Sequence, residues 1–230
     1  MAALFDGIRV DHLVGLFRTY GRPAAGDPFF NPSNQPDQIA QGETLLRILI
    51  ESGATIIAED LGVVPDFVRE SLARLGVPGC KVMRWERDWH APDQPFRDPR
   101  EYPPHSAAMT GTHDTETLAG WWQHASSEER AAALTALPAE AGHLDPATPW
   151  HDTLRDAFLS SAYGSGSDEL FVPVQDVFGW TDRINVPGTI GDRNWTWRLP
   201  WPVDALAHVP EAVARAAFCL RTSRAASRSR

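Results

Sequence analysis

The chain has 230 residues, 43% of them hydrophobic, and carries 21 basic against 30 acidic side chains for a net charge of −9. That size and apolar fraction suit a soluble globular domain with a sizeable core, while the acidic balance argues against a nucleic-acid partner, which needs stripes of Lys and Arg. Two distant cysteines, Cys80 and Cys219, make neither a disulfide framework nor a zinc site, and the eight histidines show no metal-ligand spacing. The N-terminal residues lack the charged and apolar regions of a signal peptide, and no stretch approaches the roughly 20 apolar residues of a membrane helix. The expectation is a cytoplasmic protein with no membrane partner, no metal and no cofactor.

In chain order, the first strand is expected at Gly7 to Asp11, followed by a loop from Gly21 to Gln38 rich in Pro, Gly and Asn. A helix should run from Ile39 to Ser52 with Ile39, Leu45, Leu46 and Leu49 on its apolar face and Gly53 as a left-handed cap. Ala54 to Ala58 reads as a buried strand that ends in Glu59-Asp60. Pro65 opens a helix through Val68, Leu72 and Leu75, which Gly76 ends. Cys80 to Trp85 is a third strand. The long loop Glu86 to Ser106, with Pro92, Pro95, Pro99, Pro103 and Pro104, has a length that usually signals function. A fourth strand, Ala107 to Gly111, ends in Thr112-His113-Asp114. Helices follow over Glu116 to His124, after the Ser126 cap with its Glu129 partner, and over Asp152 to Tyr163. A fifth strand at Glu169 to Val174, a loop from Gln175 to Pro200 and a helix from Val203 to Leu220 complete the reading. Residues 1–222 form the folded portion. The segment 223–230, carrying Arg224, Arg228 and Arg230 among Ser and Ala, is expected to be a disordered tail. Strand then helix, five times over, implies parallel strands with helical crossovers.

Three strand ends carry acids in short polar motifs, and strand ends are where parallel α/β folds place their chemistry. Arg9 and Asp11, at i and i+2, share a side of their strand, so the guanidinium keeps the carboxylate ionised, as a nucleophile requires. Glu59 follows Ile56, Ile57 and Ala58, a drier setting that suits a general acid. Asp60 points the other way and reads as a carboxylate held by backbone N–H groups. His113-Asp114 ends the fourth strand. Singly, each motif is equally an ion pair, a cap or a hydrogen-bonded pair; recurrence at three ends of five points to a site. Nine Trp and ten Phe add ring faces on which sugars stack, among them Trp85, Trp89, Trp121, Trp122, Trp180, Trp195 and Trp197 beside loops that follow strands. Trp121 and Trp122 are adjacent, so at least one of them should pack in the core.

Together, Ile8-Arg9-Val10-Asp11-His12, Ile57-Ala58-Glu59-Asp60-Leu61-Gly62-Val63, Val77-Pro78-Gly79-Cys80-Lys81-Val82, Thr110-Gly111-Thr112-His113-Asp114 and Gly120-Trp121-Trp122 resemble the 4-α-glucanotransferases, also called amylomaltases or disproportionating enzymes, of the α-amylase clan. Asn185-Val186-Pro187-Gly188-Thr189 and Asn194-Trp195-Thr196-Trp197-Arg198 extend the resemblance over almost the whole chain. It implies an α/β fold that is the C-terminal part, strands four to eight, of a (β/α)8 barrel, with the first three strands missing; a whole barrel takes about 250 residues. It implies Asp11 as nucleophile, Glu59 as acid/base and Asp114 as transition-state carboxylate, with Arg9, His113 and Asn185 binding substrate. The implied reaction moves a segment of an α-1,4-glucan to the 4-hydroxyl of an acceptor by retaining double displacement. The implied partners are that glucan and the missing N-terminal half of the barrel. Cys80 stands where the family usually has Met, and Thr115-Glu116 where Asn is usual. Two other readings remain open: an inactive half-barrel that binds glucan or assembles, and an α-glucan hydrolase of the same clan.

Overall fold

A computed structural model describes residues 3–138 and 144–228 in two compact units. Residues 1–81 and 105–107 form the first, and residues 82–104 and 108–230 the second.

The first unit is built on β1 (Gly7–Val10), β4 (Thr55–Ala58) and β5 (Gly79–Val82), neighbours in that order, followed by the first residues of β6 (Ser106–Met109). β1 pairs parallel with β4, and β4 parallel with β5. Between β1 and β4 lie a one-turn helix α1 (Val14–Phe17), a hairpin of β2 (Thr19–Gly21) with β3 (Phe29–Asn31), and α2 (Gln35–Glu51). The hairpin falls inside the stretch expected as loop. Its strands are three residues each, too short to show a period. Helix α2 starts four residues before the expected Ile39, because the Asn34 side chain accepts from the Asp37 N–H at 3.0 Å and Pro36 suits the first turn. Its inward face is Gln38, Gly42 and Leu46; Leu45, expected inside, is exposed. Gly53 and Gly76 have the positive φ of left-handed helix ends, as expected. Helix α3 (Asp66–Leu75) buries Phe67, Val68 and Leu72, which close a core with Leu13, Phe17, Leu46 and Ile56. Each such side chain contributes about 1.5–3 kcal/mol.

In the second unit the last residues of β6 are followed in the sheet by β7 (Glu169–Phe171). Helices α4 (Leu118–His124), α5 (Ser127–Thr135) and α6 (Asp152–Tyr163) supply the core. Thr117 caps α4, and Ser126 caps α5 by accepting the Glu129 N–H at 3.2 Å. Both Trp121 and Trp122 are buried, edge-on to each other and to Phe158. The core packing expected of at least one of them holds for both, and Trp121 also edges the cavity that Asp114 lines. The long loop after β5 contains a 3-10 turn over Pro99–Glu101 and a bridge between Arg87 and Phe96. The fifth strand is shorter than expected. Pro173 ends it and starts α7 (Val174–Phe178), whose Gln175 and Asp176 are buried. A 3-10 turn over Val203–His208 precedes α8 (Pro210–Arg228). The helix carries through residue 228, where a disordered tail was expected from 223; residues 229–230 lie outside the described residues. Among the described residues no helix is long and apolar enough to cross a membrane.

Candidate active site

In the first unit, backbone register sets the geometry. Val10 lies opposite Ala58, so the next residues, Asp11 and Glu59, leave adjacent strand ends together. Neighbouring strands are about 4.8 Å apart, so two side chains leaving them in register project from adjacent points. The pairing extends past the strand ends: the Glu59 N–H donates to the Val10 carbonyl at 2.9 Å, and the Leu13 N–H to the Glu59 carbonyl at 3.2 Å. Glu59 is half-buried. Its Oε2 accepts the His12 N–H at 2.7 Å and its Oε1 the Leu61 N–H at 3.1 Å. His12 reaches that position with φ at 46°, in the left-handed region.

Asp11 is 60% exposed, and its Oδ1 accepts from the Arg9 guanidinium at 2.6 Å. The strand alternation therefore places the Arg beside the Asp, as expected. Asp60 is buried with both oxygens engaged: Oδ1 accepts the Cys80 N–H at 2.8 Å and Oδ2 pairs with Arg69 at 2.7 Å. It props β5 against β4, and a Cβ on Gly79 would stand 2.6 Å from its Oδ1. Cys80 is buried beside it; burial, with a smaller opposing pull from Arg9, pushes its thiol up to about 11.

In the second unit, side chains from far along the sequence set the geometry. Thr112 and Thr115 close a tight turn after β6: the Thr112 N–H donates to Thr115 Oγ1 at 2.9 Å, and Thr112 Oγ1 accepts the Asp114 N–H at 3.2 Å. Asn185 Nδ2 donates to Asp114 Oδ1 at 2.7 Å, while the Asn185 N–H donates to the His113 carbonyl at 3.1 Å. Arg183 donates to the Asp114 carbonyl at 2.8 Å, and His113 Nε2 lies 3.4 Å from Asp114 Oδ1. Trp195, itself at φ 63°, packs on the His113 ring at 5.2 Å between centroids. The structure thus brings together three of the six expected residues, His113, Asp114 and Asn185, and shows Asn185 holding a carboxylate.

Asp114 also lines an open cavity of about 440 Å³ with Arg84, Trp85, Trp89, Glu116 and Arg183. Trp85 and Trp89 are exposed, as a ring platform requires. Arg84 is half-buried. Burial pulls its guanidinium down, and the charges of Glu116 and then Asp176 oppose that. Trp180 and Trp197 belong to a half-buried cluster with Phe178 and Trp201. Sequence reasoning missed Arg183, Asp176 and the backbone role of His12. Arg183 had one signal, its i, i+2 spacing to Asn185. Among the described residues no group of three or more His, Cys, Asp or Glu is arranged to hold a metal ion.

The sequence pattern of one family, described as 4-alpha-glucanotransferase, matches residues 1–204. The chain belongs to the 4-alpha-glucanotransferase family. A 4-alpha-glucanotransferase of Chlamydia caviae is 34% identical over 212 residues, covering 86% of this chain and 38% of its own length. One from Thermus thermophilus is 33% identical over 205 residues, covering 85% of this chain and again 38% of itself. The chain therefore spans less than half the length of these relatives. Among solved structures, an amylomaltase from Streptococcus agalactiae in complex with acarbose superposes with a TM-score of 0.71 at 24% identity, covering 98% of this chain and 42% of that one. An amylomaltase from Corynebacterium glutamicum gives 0.71 at 21% identity, covering 96% and 36%. At these identities the two structures establish a shared α/β fold.

Proposed function

We propose that this chain carries the catalytic carboxylates of a 4-α-glucanotransferase, on strands corresponding to the fourth to eighth of a (β/α)8 barrel. The observation that carries the reading is the register of β1 with β4. It sends Asp11 and Glu59 out of adjacent strand ends, with the residue after Asp11 donating its N–H to Glu59. Retaining enzymes need two carboxyls about 5–5.5 Å apart, the separation scale that adjacent parallel strands provide.

Asp11, with Arg9 at its side, attacks the anomeric carbon of an α-1,4-glucan. The bond to the departing 4-oxygen breaks as Glu59 gives that oxygen its proton. In the second half the 4-hydroxyl of an acceptor glucan loses its proton to Glu59 and displaces Asp11, restoring both groups. Asp114 stabilises the positively charged transition state, with His113 and Asn185 completing its surroundings. Trp85 and Trp89 offer faces for the apolar sides of glucose units.

The test is maltotriose disproportionation, run on this chain alone and on a chain extended to the relatives' length with a family N-terminal segment. Glucose and a ladder of longer oligomers are expected from the extended chain. Asp11→Ala and Glu59→Gln should each lower transfer on the order of a thousandfold or more. Transfer that survives Asp11→Ala would sink the assignment. Glucose without longer oligomers would mark a hydrolase, and glucan binding without turnover in the extended chain would mark an inactive module.

A further inference from the structure

The segment that bears His113 and Asp114 is anchored at both ends by one buried carboxylate outside the residues already discussed as catalytic. Asp176, 1% exposed, lies on α7. Its Oδ2 accepts from Thr110 Oγ1 at 2.5 Å, and its Oδ1 accepts the Leu118 N–H at 2.7 Å. Thr110 immediately follows β6 and Leu118 is the first residue of α4, so the two bonds bracket Gly111 to Thr117. Space there is tight: a Cβ on Gly111 would stand 2.7 Å from Thr115 Oγ1 and 3.8 Å from Asp176 Oδ2. Desolvation of Asp176 pushes its carboxyl up, opposed by the bonds from Thr110 and Leu118 and by the charge of Arg84.

A buried acid is an expensive way to hold a helix end, since Thr117 already caps α4 through the Gly120 N–H. A helix cap alone would need one acceptor near Leu118, on the surface. Asp176 instead gives one oxygen to the strand end and the other to the helix start, so it fixes the chord across the loop that carries the third carboxylate. Within the loop, Thr112 and Thr115 shape the turn and Arg183 and Asn185 hold His113 and Asp114, but the Asp176 bonds lie at its two ends.

We propose that Asp176 is a positioning residue that sets the conformation of the Gly111–Thr117 loop and hence the placement of Asp114 for glucosyl transfer. The catalytic part of this inference rests on the proposed function; the loop part stands independently of it.

The experiment compares the full chain with its Asp176→Ala, Asp176→Asn and Thr110→Val variants, by amide hydrogen exchange and by transfer kinetics in the extended chain. Asp176→Ala should speed exchange over residues 110–118 by about tenfold or more, with α5 changed less than about twofold. Asp176→Asn should largely rescue this, because its oxygen still accepts from Leu118 while its amide donates to the Thr110 hydroxyl. Thr110→Val, which removes only the strand-end bond, should fall between them; it and the Asn variant also keep the inference falsifiable if the Ala variant fails to fold. In kinetics, kcat should fall about 10- to 100-fold in the Ala variant with KM within about twofold, and the Asn variant should recover most of it. Exchange that rises equally in α5 and in residues 110–118, or does not rise at all, would overturn the loop role. Local exchange that rises while kcat stays unchanged in an active enzyme would overturn the catalytic part. If the unsubstituted extended chain transfers nothing, the proposed function fails, and the exchange arm still decides whether Asp176 anchors the loop.

Discussion

Asp11 and Glu59 are placed by backbone, whereas His113 and Asp114 are placed by side chains that arrive from far along the sequence. In the first unit the parallel register of β1 with β4, continued by the bonds from Glu59 and Leu13, fixes where both carboxylates leave the sheet. The nearest supporting side chain, Arg9, is two residues away. In the second unit Asp114 depends on Arg183 and Asn185, 69 and 71 residues on, and its loop on Asp176. Backbone placement is robust to single substitutions, because each mutation leaves the ladder intact. Placement by remote side chains is exposed to them, because one truncation removes one strut.

That contrast can be broken by experiment. The largest expected effect is a control for it: Trp122→Ala should cost about 3–5 kcal/mol of stability, read as a lowered denaturant midpoint, by emptying the core of the second unit. Asn185→Ala should act on function instead. Losing its bond to a charged oxygen is worth about 1.5–3 kcal/mol, so transfer by the active enzyme should drop roughly 10- to 150-fold with little change in melting. Asp60→Ala is the counterpart in the first unit. It strands the buried Cys80 N–H and the Arg69 charge, so stability should fall by about 1–3 kcal/mol while Glu59 keeps its backbone donors. A loss of transfer from Asp60→Ala as large as that from Asn185→Ala, at temperatures where both are folded, would erase the distinction. The smallest effect sharpens it chemically. Cys80 lies inside the sheet of the first unit with its thiol pushed up to about 11, so alkylation at pH 8 should be much slower there than at Cys219. Equal rates by mass spectrometry would show that β5 opens readily.

The same contrast explains what could be read from the sequence. Motifs whose partners are close in the chain, or in register with it, were legible. Arg9 with Asp11 follows from the strand period, Ser126 with Glu129 from helix-cap chemistry, and Asp60 as a carboxylate held by backbone from its alternation with Glu59. Helix α6 has the expected bounds because its apolar residues repeat over 12 positions. The β2–β3 hairpin and α7 were not legible, since three- and five-residue elements are too short to carry a period. Asp176 was invisible for a different reason. Its partners are 66 and 58 residues away, and nothing local distinguishes it from a surface acid after a strand. Asn185 entered through the resemblance as a substrate contact, and only the fold reveals the carboxylate it steadies.

His12 carries a consequence for anyone varying this protein. At φ 46° it occupies a conformation that costs most residues about 1 kcal/mol or more and β-branched residues considerably more. What the fold uses there is the direction of an N–H, which the imidazole does not supply. A saturation library at position 12 should therefore be filtered by backbone shape before side-chain chemistry: Gly, Asn and Asp would survive, while Val, Ile, Thr and Pro would be purged.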